Sequence, residues 1–142
     1  MTVSIFVGDQ RGDIVTAGKD DSVATVVALL AGRRIGCVPI VEGGRVLGLF
    51  SERDVIYGLQ REGAALLDQP VSAVMTTPAV TIERGMPILA ALSLMTKRRV
   101  RHLPIVEDGK LIGFVSIGDL VKSRMDRIEA EAEAMRNYIQ SA

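Results

Sequence analysis

Cys37 is the only cysteine and His102 the only histidine in 142 residues. A single thiol excludes an intrachain disulfide framework, so packing must hold the fold, and a reducing compartment is permitted. Two such ligands do not close a zinc site, and no metal is expected. Nor does a nucleophile, base and orienting group stand out together, so catalysis is not expected. Net charge is also missing, with Lys plus Arg and Asp plus Glu both at 17. No overall field therefore draws in DNA, RNA or an anionic membrane. Uninterrupted apolar runs stay short of the roughly 18 residues a membrane span needs. The stretch Met1 to Val7 lacks a basic start and meets Gly8, Asp9 and Arg11 at once, unlike a secretory signal. The expectation is a cytoplasmic chain with neither nucleic acid nor membrane as partner.

What is abundant is apolar: 48% of the residues are hydrophobic, ample for a core. They are also written twice. The run Arg33-Arg34-Ile35-Gly36-Cys37-Val38-Pro39-Ile40-Val41-Glu42 returns 65 positions later as Arg98-Arg99-Val100-Arg101-His102-Leu103-Pro104-Ile105-Val106-Glu107. Gly48, Ser51 and Asp54 return at the same offset as Gly113, Ser116 and Asp119. Two copies are too few for a solenoid, so the shift implies a pseudo-twofold pair of small units packed as one body.

Taken in order, residues 1–12 form a lead-in strand or arm, 13–68 the first unit, 69–124 the second and 125–142 a helical extension. Ile14-Val15-Thr16 is expected to enter the first unit as a strand. Asp21-Ser22 offers an N-cap to a helix whose buried stripe is Val23, Val26, Val27 and Leu30. The second copy repeats the stripe as Ile88, Ala91, Leu92 and Met95, with Pro87 at the first helical position. Two apolar runs follow in each copy, joined by Glu42-Gly43-Gly44-Arg45 and Glu107-Asp108-Gly109-Lys110, which are hairpin signals. Pro39 and Pro104 cannot donate to a ladder and should lie at an edge or a strand start. The fold class is α+β, two tandem βαββα units. In the last helix Ile128, Ala132, Met135 and Ile139 make an apolar stripe that serves equally to cover the module's own core or to meet a second copy.

The sequence G-x-x-S-x-x-D at each strand-to-helix junction allows two readings. Ser51 with Asp54, and Ser116 with Asp119, match a capping box, in which hydroxyl and carboxylate satisfy free backbone N–H groups. The same geometry suits phosphate at the helix N-terminus, with an ionised Asp accepting from two adjacent hydroxyls, as on a ribose. Where the copies differ, Gly36-Cys37 becomes Arg101-His102, and both new side chains can meet a phosphate.

The Pro-containing strand, Gly turn and G-x-x-S-x-x-D of both copies resemble the cystathionine-beta-synthase (CBS) domain family. The resemblance runs from about Asp13 to about Ser123, and the tandem pair looks like a Bateman module. It implies one cleft of Ser116, Asp119, His102, Ile35, Gly36 and Thr16, ranked first, and a pseudo-symmetric one of Ser51, Asp54, Arg53, Val100, Arg101 and Thr81. The implied ligand is an adenosine nucleotide, AMP, ADP, ATP or NAD/NADH, held without catalytic cofactor. A homodimer and an effector in another protein are implied too. The alternative is a non-binding interaction protein in which Ser and Asp only cap helices.

Overall fold

Each copy builds a helix, a tight hairpin and a second helix, in the order its pattern dictates. The computed structural model describes residues 1–8 and 14–141. Helix α1 is Val23–Arg33, followed by β1 (Cys37–Glu42), β2 (Arg45–Ser51) and α2 (Glu52–Glu62). The second copy gives β3 (Ile82–Glu83), α3 (Ile88–Arg98), β4 (His102–Glu107), β5 (Lys110–Ser116) and α4 (Ile117–Ser141). Ser22 caps α1 by accepting from the N–H of Thr25 at 3.1 Å. Both α1 and α3 end on an arginine in the left-handed region, Arg34 at φ 54° and Arg99 at φ 56°. The hairpin turns place Gly43, Gly44, Asp108 and Gly109 at positive φ, where glycine costs least.

The five strands form one sheet in the order β1-β2-β5-β4-β3. Its two hairpins meet at the turn ends, where Arg45 is opposite Lys110 and the N–H of Leu111 donates to the carbonyl of Gly44 at 2.9 Å. Pro39 lies on the edge strand β1, as a missing donor requires. Pro104 differs from expectation, being the third residue of β4, between β5 and β3. It is tolerated because β3 begins its pairing only at Ile105. Ile14 to Thr16 do not form a strand; Ala17 makes a single parallel bridge to Ile40 where the second copy has β3. Pro87 precedes α3 as its N-cap rather than opening it.

Two cores result. Val23, Val26, Leu30, Val38, Ile40, Phe50, Leu66 and Val71 pack in the first, and Ile82, Ile88, Ala91, Met95, Leu103, Ile105, Val115 and Leu120 in the second. Each is closed by a segment that precedes the other copy. The arm Val3–Phe6 is a 3-10 turn, not a strand, and buries Val3 in the second core. Val71–Ala73 is its counterpart and buries Val71 in the first. The bonds match pair by pair: the N–H of Val3 donates to Met86 and that of Ile88 to Met1, while the N–H of Val71 donates to Asp21 and that of Val23 to Gln69. The sequence reading of residues 9–12 falls outside the described residues.

Helix α4 runs on beyond the second unit, and residues 125–141 are exposed throughout. Its apolar stripe therefore covers neither core. Among the described residues no helix is long and apolar enough to cross a membrane.

Candidate functional site

In each copy the motif serine ends a strand and faces the first residue of the neighbouring strand. Ser51 pairs with Cys37 and Ser116 with His102. The helix that follows is fixed at once, because the N–H of Glu52 donates to Gly36 at 3.0 Å and that of Ile117 to Arg101 at 2.8 Å. The motif glycine is a close-approach position. A Cβ on Gly48 would stand 2.7 Å from the carbonyl oxygen of Thr76, and one on Gly113 3.2 Å from that of Phe6. Phe6 ends one core-closing segment and Thr76 follows the other by three residues, so the motif is shaped by its neighbour in space.

Both pairs make the capping box, and the copies part in what else meets the carboxylate. In the second copy the Ser116 N–H donates to Asp119 Oδ2 at 2.9 Å and the Asp119 N–H to Ser116 Oγ at 3.1 Å. Asp119 is exposed, and among the described residues nothing donates to its Oδ1. Asp54 is half-buried and fully engaged. Its Oδ2 accepts from the N–H and hydroxyl of Ser51 at 2.9 and 3.2 Å, and its Oδ1 from the Thr76 hydroxyl at 2.9 Å. The sequence places Thr76 in the loop Thr76-Thr77-Pro78 and carries no local signal that assigns it to the site; only the pairing of Leu49 with Thr76 brings it there.

Both motifs open onto cavities that cross between the copies. Ser116, Asp119, His102 and Ile35 share one of about 470 Å³, with Ile14, Val15 and Phe114 as apolar wall. Ser51, Asp54, Arg53, Val100 and Arg101 share another of about 380 Å³, together with Arg98, Arg99 and Thr76. Both volumes suit a small-molecule site. Gly36 lines the Asp54 cavity rather than that of Asp119, because its carbonyl is tied to α2; a Cβ there would meet Glu52 Oε1 at 2.8 Å. Thr16 and Thr81 line neither and are exposed. Each directly precedes a buried residue, Ala17 or Ile82, and successive side chains of an extended segment point to opposite faces.

Cys37 and His102 form the wall between the cavities and line both. Burial, reinforced by the negative charge of Asp54, pushes the Cys37 thiol up to about 12, so it is no nucleophile. His102 stacks on Phe114 with ring centroids 5.5 Å apart. Burial lowers its pKa below the ordinary 6.5, Asp119 and Glu52 pull it back up, and Arg101 lowers it further. At neutral pH it is an uncharged imidazole. The unfolded chain binds a proton at His102 near pH 6.5 and the folded chain only at lower pH, so as pH falls below 6.5 proton uptake by the unfolded state lowers the stability of the fold. The thermal midpoint is therefore expected to fall as pH drops from 7 towards 5. His102→Gln should flatten that slope in a pH series of melting curves; an unchanged slope would assign it to the carboxylates.

Comparison with known proteins agrees with the fold. A family model described as CBS domain matches residues 7–61 and 71–126. The CBS domain-containing protein YhcV of Bacillus subtilis is 30% identical over 124 residues, which is 87% of this chain and 87% of that one. The crystal structure of a CBS-domain containing protein from Agrobacterium tumefaciens matches with a TM-score of 0.79 at 38% identity, covering 87% of this chain and 92% of that chain. A CBS domain protein from Pyrobaculum aerophilum, complexed with AMP, has the same fold at a TM-score of 0.73 and 23% identity, covering 84% of this chain and 89% of that chain. The share of a curated relative's own length that the chain spans is 20% in one case, 61% in another and 87% in a third.

Proposed function

This chain belongs to the CBS-domain family, and we propose that it is a regulatory module that binds an adenosine-containing nucleotide in the Asp119 cleft and signals to a partner protein. The observation that carries the reading is an exposed Asp119 whose Oδ1 accepts from none of the described residues, beside the N-terminus of α4 and above an apolar-walled cavity. A ribose diol donates to that carboxylate, and a phosphate meets the helix N–H groups and the Ser116 hydroxyl. The base lies against Val15, Ile35 and Phe114. The AMP held by the Pyrobaculum protein supports this ligand class. AMP, ADP, ATP and NAD/NADH are the candidates. The second cleft is the weaker acceptor of a ribose, because Thr76 already occupies Asp54. Its four arginines, Arg53, Arg98, Arg99 and Arg101, favour a more highly phosphorylated ligand there. A cytoplasmic setting, a second copy as partner and an effector on another chain complete the proposal.

Thermal unfolding with AMP, ADP, ATP, NAD, NADH and S-adenosylmethionine tests it. A ligand at about a hundred times its Kd adds roughly 2.7 kcal/mol, which moves the midpoint by several degrees. Asp119→Ala, through a loss of affinity of about tenfold or more, should cut that shift to about half or less, whereas Asp54→Ala should keep it. If no ligand moves the wild type while both variants merely melt lower, Ser and Asp are only caps, and the interaction-protein reading replaces this one.

A further inference from the structure

We propose that residues 121–139 of α4 form a parallel two-stranded coiled coil with a second copy of this chain. Val121, Met125, Ile128, Ala132, Met135 and Ile139 alternate four and three residues apart, the spacing of a seam that winds around a partner. Residues 125–141, about 25 Å of helix, are exposed, with Ile128 at 49%, Met135 at 60% and Ile139 at 66%. Among the described residues the side-chain hydrogen bonds of this stretch are helix-internal, such as Arg127 to Glu131 at 3.1 Å, and such pairs contribute little. The body lies along one flank of the stripe, where Arg124, Arg127 and Glu131 line a cavity with Met1 and Leu89. The seam is left open.

The charges beside the seam choose the occupant and its direction. Arg124 and Glu131 flank it on one side, Glu129 and Arg136 on the other. In a parallel pair, a residue on the first flank meets the residue five positions on in the second copy. Arg124 then faces Glu129 and Glu131 faces Arg136, and symmetry doubles both attractive pairs. An antiparallel pair centred on the same stripe sets Glu129 against Glu129 and Glu131 against Glu131. Only the parallel arrangement satisfies every one of these side chains.

The test uses the full chain without nucleotide, so its outcome is independent of the ligand reading. Ile139→Cys stands on the seam and Asn137→Cys on the opposite face, while the native Cys37 is buried and takes no part. Under mild oxidation Ile139→Cys should become a covalent dimer and Asn137→Cys should not. Adding Ile128→Lys to Ile139→Cys should abolish the cross-link while the body's thermal midpoint stays in place. Equal cross-linking at 137 and 139, or none at either, overturns the proposal. So does a 121-to-139 cross-link when Val121→Cys and Ile139→Cys chains are mixed, since that product requires the antiparallel pair. A dimeric mass without the 139-selective cross-link means association through the body, which also overturns it.

Discussion

Phe50→Ala is expected to cost about 3–5 kcal/mol of stability. Phe50 is fully buried and is the largest side chain of the first core, opposite Val38 in the β1–β2 ladder. Truncation leaves a cavity that Val38, Ile40 and Leu66 cannot close without moving strand or turn backbone. Whole-domain stabilities are about 5–15 kcal/mol, so this is a large fraction. A midpoint lower by roughly 10 °C is expected, at about 2–4 °C per kcal/mol. Urea unfolding should show an earlier single transition with an unchanged slope. A biphasic curve would mean that the two cores unfold separately, against the exchange of closing segments between them. A loss below about 1 kcal/mol would mean that Phe50 is not packed as described.

Gly48→Val is expected to do comparable damage by the opposite route. The new Cβ would lie 2.7 Å from the Thr76 carbonyl and 2.9 Å from Met75 Sδ, and valine adds two further methyl groups. Overpacking of this kind costs about 1–3 kcal/mol. Displacing Thr76 also strains the paired bonds between Leu49 and Thr76, at 2.9 and 2.8 Å, which adds to that cost. It further withdraws the hydroxyl that Thr76 gives to Asp54. Gly113→Val should cost less, because there the nearest atom is the side-chain terminus Ile105 Cδ1 at 3.0 Å and the backbone oxygen stands at 3.2 Å. Melting curves of the two variants test the order. Equal losses would mean that the Thr76 segment yields as readily as a side chain.

The repeat of 65 residues carried most of the architecture, because a chain written twice must place Gly48 and Gly113, or Ser51 and Ser116, in equivalent surroundings. The helices, Gly turns and caps were legible for a local reason: their signals lie within a few residues of their effects. Pairing across the chain was not. Neither the bond from Thr76 to Asp54 nor the seating of Val3 among residues 82–120 leaves a periodicity to read. The first copy's missing strand was equally hidden, since Ile14-Val15-Thr16 is apolar and β-branched enough for one, and only its single bridge through Ala17 decides otherwise. The copies are alike in sequence at Ser and Asp, yet unlike in chemistry, because three hydrogen bonds converge on Asp54 and one on Asp119.

The exchange of closing segments also sets an order of events during synthesis. Chains generally fold in units as they emerge from the ribosome, the N-terminal unit first. Here the first core cannot be sealed until Val71 has been translated, and Met1 to Phe6 find no seat until Ile88 and Leu120 have emerged. An arm that precedes the first copy must therefore wait, unseated, until the second copy has emerged.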